Sequence, residues 1–81
     1  SSLNSLDLSN NFQIELLDNP DILRNLLSLK LTNLSVGFLH KLNFTFITGL
    51  RTLDISYIKI DTGILKNLIQ LKNLENLYLI N

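Results

Sequence analysis

The chain has 81 residues, no cysteine, and seven basic side chains balancing seven acidic ones. That length allows at most one small domain with a shallow core, and the missing cysteine excludes a disulfide framework and a cysteine-type zinc site. Zero net charge gives no electrostatic reason to expect nucleic acid, an anionic membrane or an acidic substrate, and the apolar runs are too short to span a bilayer.

In chain order, LNSLDLSNN from Leu3 reads as a strand centred on Leu6 and Leu8. Side chains two residues apart share a face, so these two leucines point the same way. Asn19-Pro20-Asp21 then has the order of a helix start: a capping amide, a first-turn proline and a first-turn acid. That chemistry also accounts for Asp18 and Asp21 flanking Pro20, and the helix is expected to run to about Asn25. LLSLKLTNL from Leu26 is a second strand, and FLHKLNFTFITG, with Thr45 and Thr48 among aromatics, predicts a less regular return. LRTLDISYI from Leu50 is a third strand. ILKNLIQLKN, residues 64–73, has the spacing of a helix, capped by Asp61 or Thr62 and weakened in its first turn by Gly63. LENLYLIN from Leu74 is a fourth strand.

The four strand segments begin 23, 24 and 24 residues apart. Aligned, they read Leu3-Leu6-Leu8-Asn11, Leu26-Leu29-Leu31-Leu34, Leu50-Leu53-Ile55-Ile58 and Leu74-Leu77-Leu79. Steps of three, two and three fit neither a helix nor a plain strand. They fit a tight turn, a short strand and a second turn, all aimed into one interior. No such unit buries its leucines alone, so neighbours must stack.

This spacing is the pattern LxxLxLxxN, and the chain resembles the leucine-rich repeat family along its whole length. The resemblance implies an α/β fold. It implies a leucine-rich repeat solenoid, with parallel strands on a concave face and short helices, 3₁₀ turns and loops on a convex one. It implies a single array over residues 1–81, expected to be a section of a longer array or to pack its ends against another copy. In the family the position of Asn11 usually holds an asparagine whose amide bonds the adjacent loops. Here Leu34 and Ile58 replace it, so the loops after the second and third strands are expected to bend differently from the first.

Strand residues alternating with the leucines face the concave side and form columns. One reads Asp7, Lys30, Asp54, Tyr78, and its alternating signs make a surface charge ladder. Others read Asn4, Leu27, Arg51, Glu75; Ser5, Ser28, Thr52, Asn76; Ser9, Thr32, Ser56, Ile80; and Asn10, Asn33, Tyr57, Asn81. Asp7, Lys30, Arg51, Asp54, Tyr57 and Tyr78 are the candidate partner-binding residues, because tyrosine and arginine are favoured at interface hot spots. The ladder and the patch are compatible readings.

Catalysis has little support. His40 is the single histidine, is expected on the outer wall, and has no cysteine or serine placed beside it. The three scattered glycines make no phosphate loop. No enzyme activity, metal or cofactor is expected. Two glycosylation sequons occur, Asn33-Leu34-Ser35 and Asn43-Phe44-Thr45, which is the number that chance supplies at this asparagine, serine and threonine content. A glycan on Asn43 would lie on the outer wall, whereas one on Asn33 would cover part of the concave face.

The period resembles that of extracellular, Toll-like receptor repeats. The resemblance therefore implies a ligand-recognition section of an innate-immune ectodomain, a glycoprotein binding a protein or other macromolecule and contacting neighbouring repeats or a second copy. It implies no nucleic acid and no direct membrane contact. An intracellular scaffold or adaptor array is the alternative. The irregular repeats argue against a designed consensus chain.

Overall fold

The computed structural model describes residues 4–10 and 19–80. Four three-residue strands, β1 (Ser5–Asp7), β2 (Ser28–Lys30), β3 (Thr52–Asp54) and β4 (Asn76–Tyr78), form one sheet in the order β1-β2-β3-β4. All three pairings are parallel, with Leu6, Leu29, Leu53 and Leu77 in one register row. The row expected from the leucine spacing is therefore present. Its burial is uneven: Leu29 and Leu53 are fully covered, Leu6 is half-buried and Leu77 stays 39% exposed. A strand in the middle of the sheet has a neighbour on each side. β4 has one only, which leaves Leu77, Leu79 and Ile80 partly open.

The backbone repeats its hydrogen bonds at each interface. Leu27 and Ser28 both donate to the Asn4 carbonyl, Arg51 and Thr52 to that of Leu27, and Glu75 and Asn76 to that of Arg51. Past the strands, Leu8 donates to Lys30 O, Leu31 to Asp54 O and Ile55 to Tyr78 O. Two residues further, the amides of Asn10, Asn33 and Tyr57 return to the carbonyls of Thr32, Ser56 and Ile80. Each of these three residues has positive φ, at 61°, 60° and 63°. The left-handed conformation swings the chain out of the strand while keeping its amide on the neighbour. Asparagine tolerates it; a tyrosine there costs about 1 kcal/mol or more.

Between strands the chain crosses the far side of the sheet. Helix α1 (Pro20–Leu23) begins as the asparagine-proline-aspartate order predicts, with Asn19 Oδ1 accepting from Asp21 N at 3.1 Å. It stops at Leu23 and continues as a turn to Asn25. The second return is in two pieces, α2 (Val36–His40) and a 3₁₀ turn (Phe44–Ile47), in line with the irregularity of its sequence. Arg24 lies over the Phe46 ring, 5.4 Å from its centre, and so links α1 to that turn.

Helix α3 (Thr62–Leu68) starts earlier and ends earlier than the expected 64–73. It starts early because Asp61, not Thr62, is the cap: Asp61 Oδ1 accepts from Ile64 N at 2.9 Å. It ends early because Leu71 must turn inward to its buried site, and Ile69, Gln70, Lys72 and Asn73 form turns around it.

The core lies between the sheet and these returns. Leu26, Leu50, Leu31 and Ile55 join Leu29 and Leu53 there, with Leu23, Leu39, Ile47 and Ile64 closing it from the helical side. Leu34 and Ile58 are also buried, so apolar area replaces the asparagine amide expected at their position. Asn11, Asp18 and the rest of the first loop, from which the second and third were expected to differ, lie outside the described residues, as does Asn81. Up to position 10 the first turn shares the backbone of the other two.

Candidate partner-binding face

Strand alternation sets the side chains flanking the leucine row on the open face of the sheet. Asp7, Lys30, Asp54 and Tyr78 pair in register across all four strands, so four of the six candidate residues form one line with steps of about 5 Å. Arg51 just precedes β3 and Tyr57 follows it, placing them at opposite ends of that strand. Arg51 and Tyr57 are exposed, Tyr57 by 62%, and Tyr78, at the outer strand, is 47% exposed.

The alternating charges stand side by side in register, but they make no direct ion pairs. Among the described residues, neither Asp7 nor Asp54 is within ion-pair distance of Lys30. Each carboxylate turns to its own chain instead. Asp7 Oδ1 accepts from Ser9 N at 2.9 Å, and Asp54 Oδ1 from Ser56 N at 3.0 Å. Bonds from the Ser9 amide and hydroxyl hold the Asp7 carboxyl below the usual carboxylate range, and the charge of Lys30 is the smallest contribution. Among the described residues Lys30 makes no ion pair. Arg51 stands 3.9 Å from Glu75, both well exposed, a pair worth little in water.

The carboxylates turn inward to meet a backbone need. The residue two beyond each strand has an amide that the ladder does not use. Ser9 and Ser56 satisfy theirs through the aspartate two residues earlier. Thr32 and Ile80 have no such aspartate, since lysine and tyrosine stand in its place. The hydroxyl of the preceding unit supplies the acceptor: Ser9 Oγ takes Thr32 N at 3.0 Å, and Ser56 Oγ takes Ile80 N at 3.2 Å.

The first and third units thus provide both acceptors, and the second and fourth rely on them. Ser56 is buried as a result. Column reading alone missed this role. The signal was Asp-x-Ser at 7–9 and 54–56, against Lys-x-Thr at 30–32 and Tyr-x-Ile at 78–80.

Because the serine amides hold Asp7 and Asp54 in place, the face is a fixed polar strip. Lys30 stands at its middle without an ion pair among the described residues, and tyrosines stand toward the β4 edge. Tyr57 departs from its column. Asn33 Nδ2 donates to Asn10 Oδ1 at 2.6 Å, continuing an amide contact from the first unit to the second. Tyr57 ends that series and carries its exposed ring on strained backbone.

The remaining candidates lie elsewhere. His40 closes α2 on the helical side, and its Nε2 is 2.8 Å from Asp61 Oδ2. An ionised carboxylate only accepts, so the ring nitrogen is the donor. Asp61 is held below the usual carboxylate range, first by the Ile64 amide and then by His40. A Cβ on Gly63 would meet both Asp61 Oδ1 and His40 Cε1 at 3.4 Å, at the near edge of ordinary contact. Asn43 is also on the helical side, at the start of the 3₁₀ turn. Among the described residues no three acidic or histidine side chains cluster as metal ligands, and no helix is long and apolar enough to cross a membrane.

Compared with known proteins, the chain matches no protein-family model, no curated protein and no solved structure.

Proposed function

We propose that this chain is a leucine-rich repeat solenoid and serves as a non-catalytic recognition module, a section of an extracellular innate-immune receptor ectodomain. The observation that carries the reading is the register of Asp7, Lys30, Asp54 and Tyr78 across four parallel strands spaced 23 to 24 residues apart. The sheet presents a broad ribbon of short polar side chains with a lysine at its middle and tyrosines at one end. Such a ribbon contacts a macromolecular surface over several strands at once. The tyrosines supply rigid contact area at low entropic cost.

The partner is a protein or other macromolecule, and the six residues named from the sequence are its contacts. The test captures partners on the immobilised chain and compares their affinity for wild type, Lys30→Glu, Arg51→Glu and Tyr57→Ala. Truncating a hot-spot tyrosine weakens binding about tenfold or more. Reversing an exposed lysine or arginine slows association and makes the affinity depend on salt. Equal affinity in all three variants would remove the open face from the reading.

A further inference from the structure

The two sequons differ in the folded chain. Asn33 is in the left-handed conformation, and its Nδ2, the atom a glycan would use, donates to Asn10 Oδ1 at 2.6 Å. It sits at the end of β2, on the column that borders the open face. Asn43 is the opposite case. It is exposed on the helical side, and its Oδ1 accepts from both the amide (3.1 Å) and the hydroxyl (2.6 Å) of Thr45, the sequon's own threonine. Its Nδ2 donates to no group among the described residues. Phe44, between them, is buried and anchors the tripeptide on the surface.

We propose that Asn43 is an N-glycosylation site and that Asn33 is not. The inference rests on the extracellular reading, because the sugar donor is met on the secretory route. The reaction joins Asn43 Nδ2 to the anomeric carbon of an oligosaccharide carried on a lipid diphosphate. The new C–N bond forms as the C–O bond to the diphosphate breaks. The electron pair leaves with the lipid diphosphate, and one Nδ2 proton passes to a base of the transferase.

At Asn43 the product breaks no hydrogen bond seen among the described residues, because the bonded oxygen is kept and the residue is exposed. At Asn33 a glycan would leave Nδ2 a single N–H and crowd its bond to Asn10 at the strand ends. The folded chain therefore carries sugar on the helical side and leaves the polar ribbon bare.

The test expresses the chain behind a signal sequence in a glycosylating eukaryotic host. Glycan is removed with an amidase that converts each occupied asparagine to aspartate, and the peptides are mapped by mass. The expected result is conversion at Asn43 alone. The matching gel shift is lost in Asn43→Gln and Thr45→Ala and kept in Asn33→Gln. Conversion at Asn33, or at neither site, overturns the proposal. Because secretion is imposed, neither result depends on where the native chain resides. Fractionation of native cells tests that separately: a cytosolic location would sink the receptor reading, and with it glycosylation of the native chain, whichever site the imposed secretion marks.

Discussion

Ser9 Oγ accepts two hydrogen bonds from Thr32 across the first strand interface, from its amide at 3.0 Å and its hydroxyl at 2.8 Å. One side chain thus satisfies a backbone group that the parallel ladder leaves over. Ser56 repeats the arrangement toward Ile80 at the third interface. The second interface has no equivalent, because the Ser56 amide is already held by Asp54. Bracing therefore alternates with a period of two units, although the leucines repeat with every one.

Ser9→Ala and Ser56→Ala should each cost about 1 kcal/mol, the usual penalty for depriving a covered amide of its acceptor. The two changes act at different interfaces, so their double variant should be close to additive. Chemical denaturation of the three variants checks this. A cost from Ser28→Ala as large as from Ser56→Ala would contradict it, since no hydrogen bond from the Ser28 side chain is seen among the described residues.

Leu29→Ala and Leu53→Ala should each destabilise by about 2 to 5 kcal/mol, because both side chains are fully enclosed and a cavity remains. Leu77→Ala, in the same register row, should cost roughly half as much or less, since its side chain already meets solvent. Equal losses across the row in thermal melts would mean that β4 is covered in solution.

Acid should weaken the fold through Asp7 and Asp61, whose carboxyls are held below their ordinary range. The unfolded chain binds protons at these groups near pH 4, and the folded chain only at lower pH. Their contribution is complete above the unfolded value and is lost as pH falls through the folded one. Melting temperature should therefore decline on the acid side of about pH 4. Asp61→Asn retains a capping oxygen but has no charge to titrate, so its decline should be shallower. Parallel acid limbs for wild type and Asp61→Asn would rule out this role for Asp61.

Tyr57→Asn should stabilise the chain by about 0.5 to 1 kcal/mol. It places at the left-handed position the residue that the first two units use there. The same substitution should weaken binding at the open face. Gained stability with lost affinity is the pattern expected of a strained contact residue. A loss of both would show that the ring supports the fold.

Much of this architecture is legible along the chain. The steps of three, two and three name Leu26, Leu29, Leu31 and Leu34, and Leu50, Leu53, Ile55 and Ile58, as interior positions, because a turn, a short strand and a second turn aim those side chains one way, and all eight are buried. The repeat spacing sets the parallel register, since equal lengths of return path bring equivalent residues side by side. Asn19-Pro20-Asp21 announces its helix because capping is settled within a few residues.

Stacking decided the rest. Asp7 and Lys30 look like an ion pair in a column of letters, yet the carboxylate bonds the Ser9 amide. That amide is left over only once a neighbouring strand has taken the others. The strain at Tyr57 has the same origin, as its backbone must bend to reach the Ile80 carbonyl. Local patterns report what a residue does to its own few neighbours. Which polar groups remain unpaired, and which side chains must turn to meet them, depends on residues 23 or 24 positions away, and only the assembled sheet brings those together.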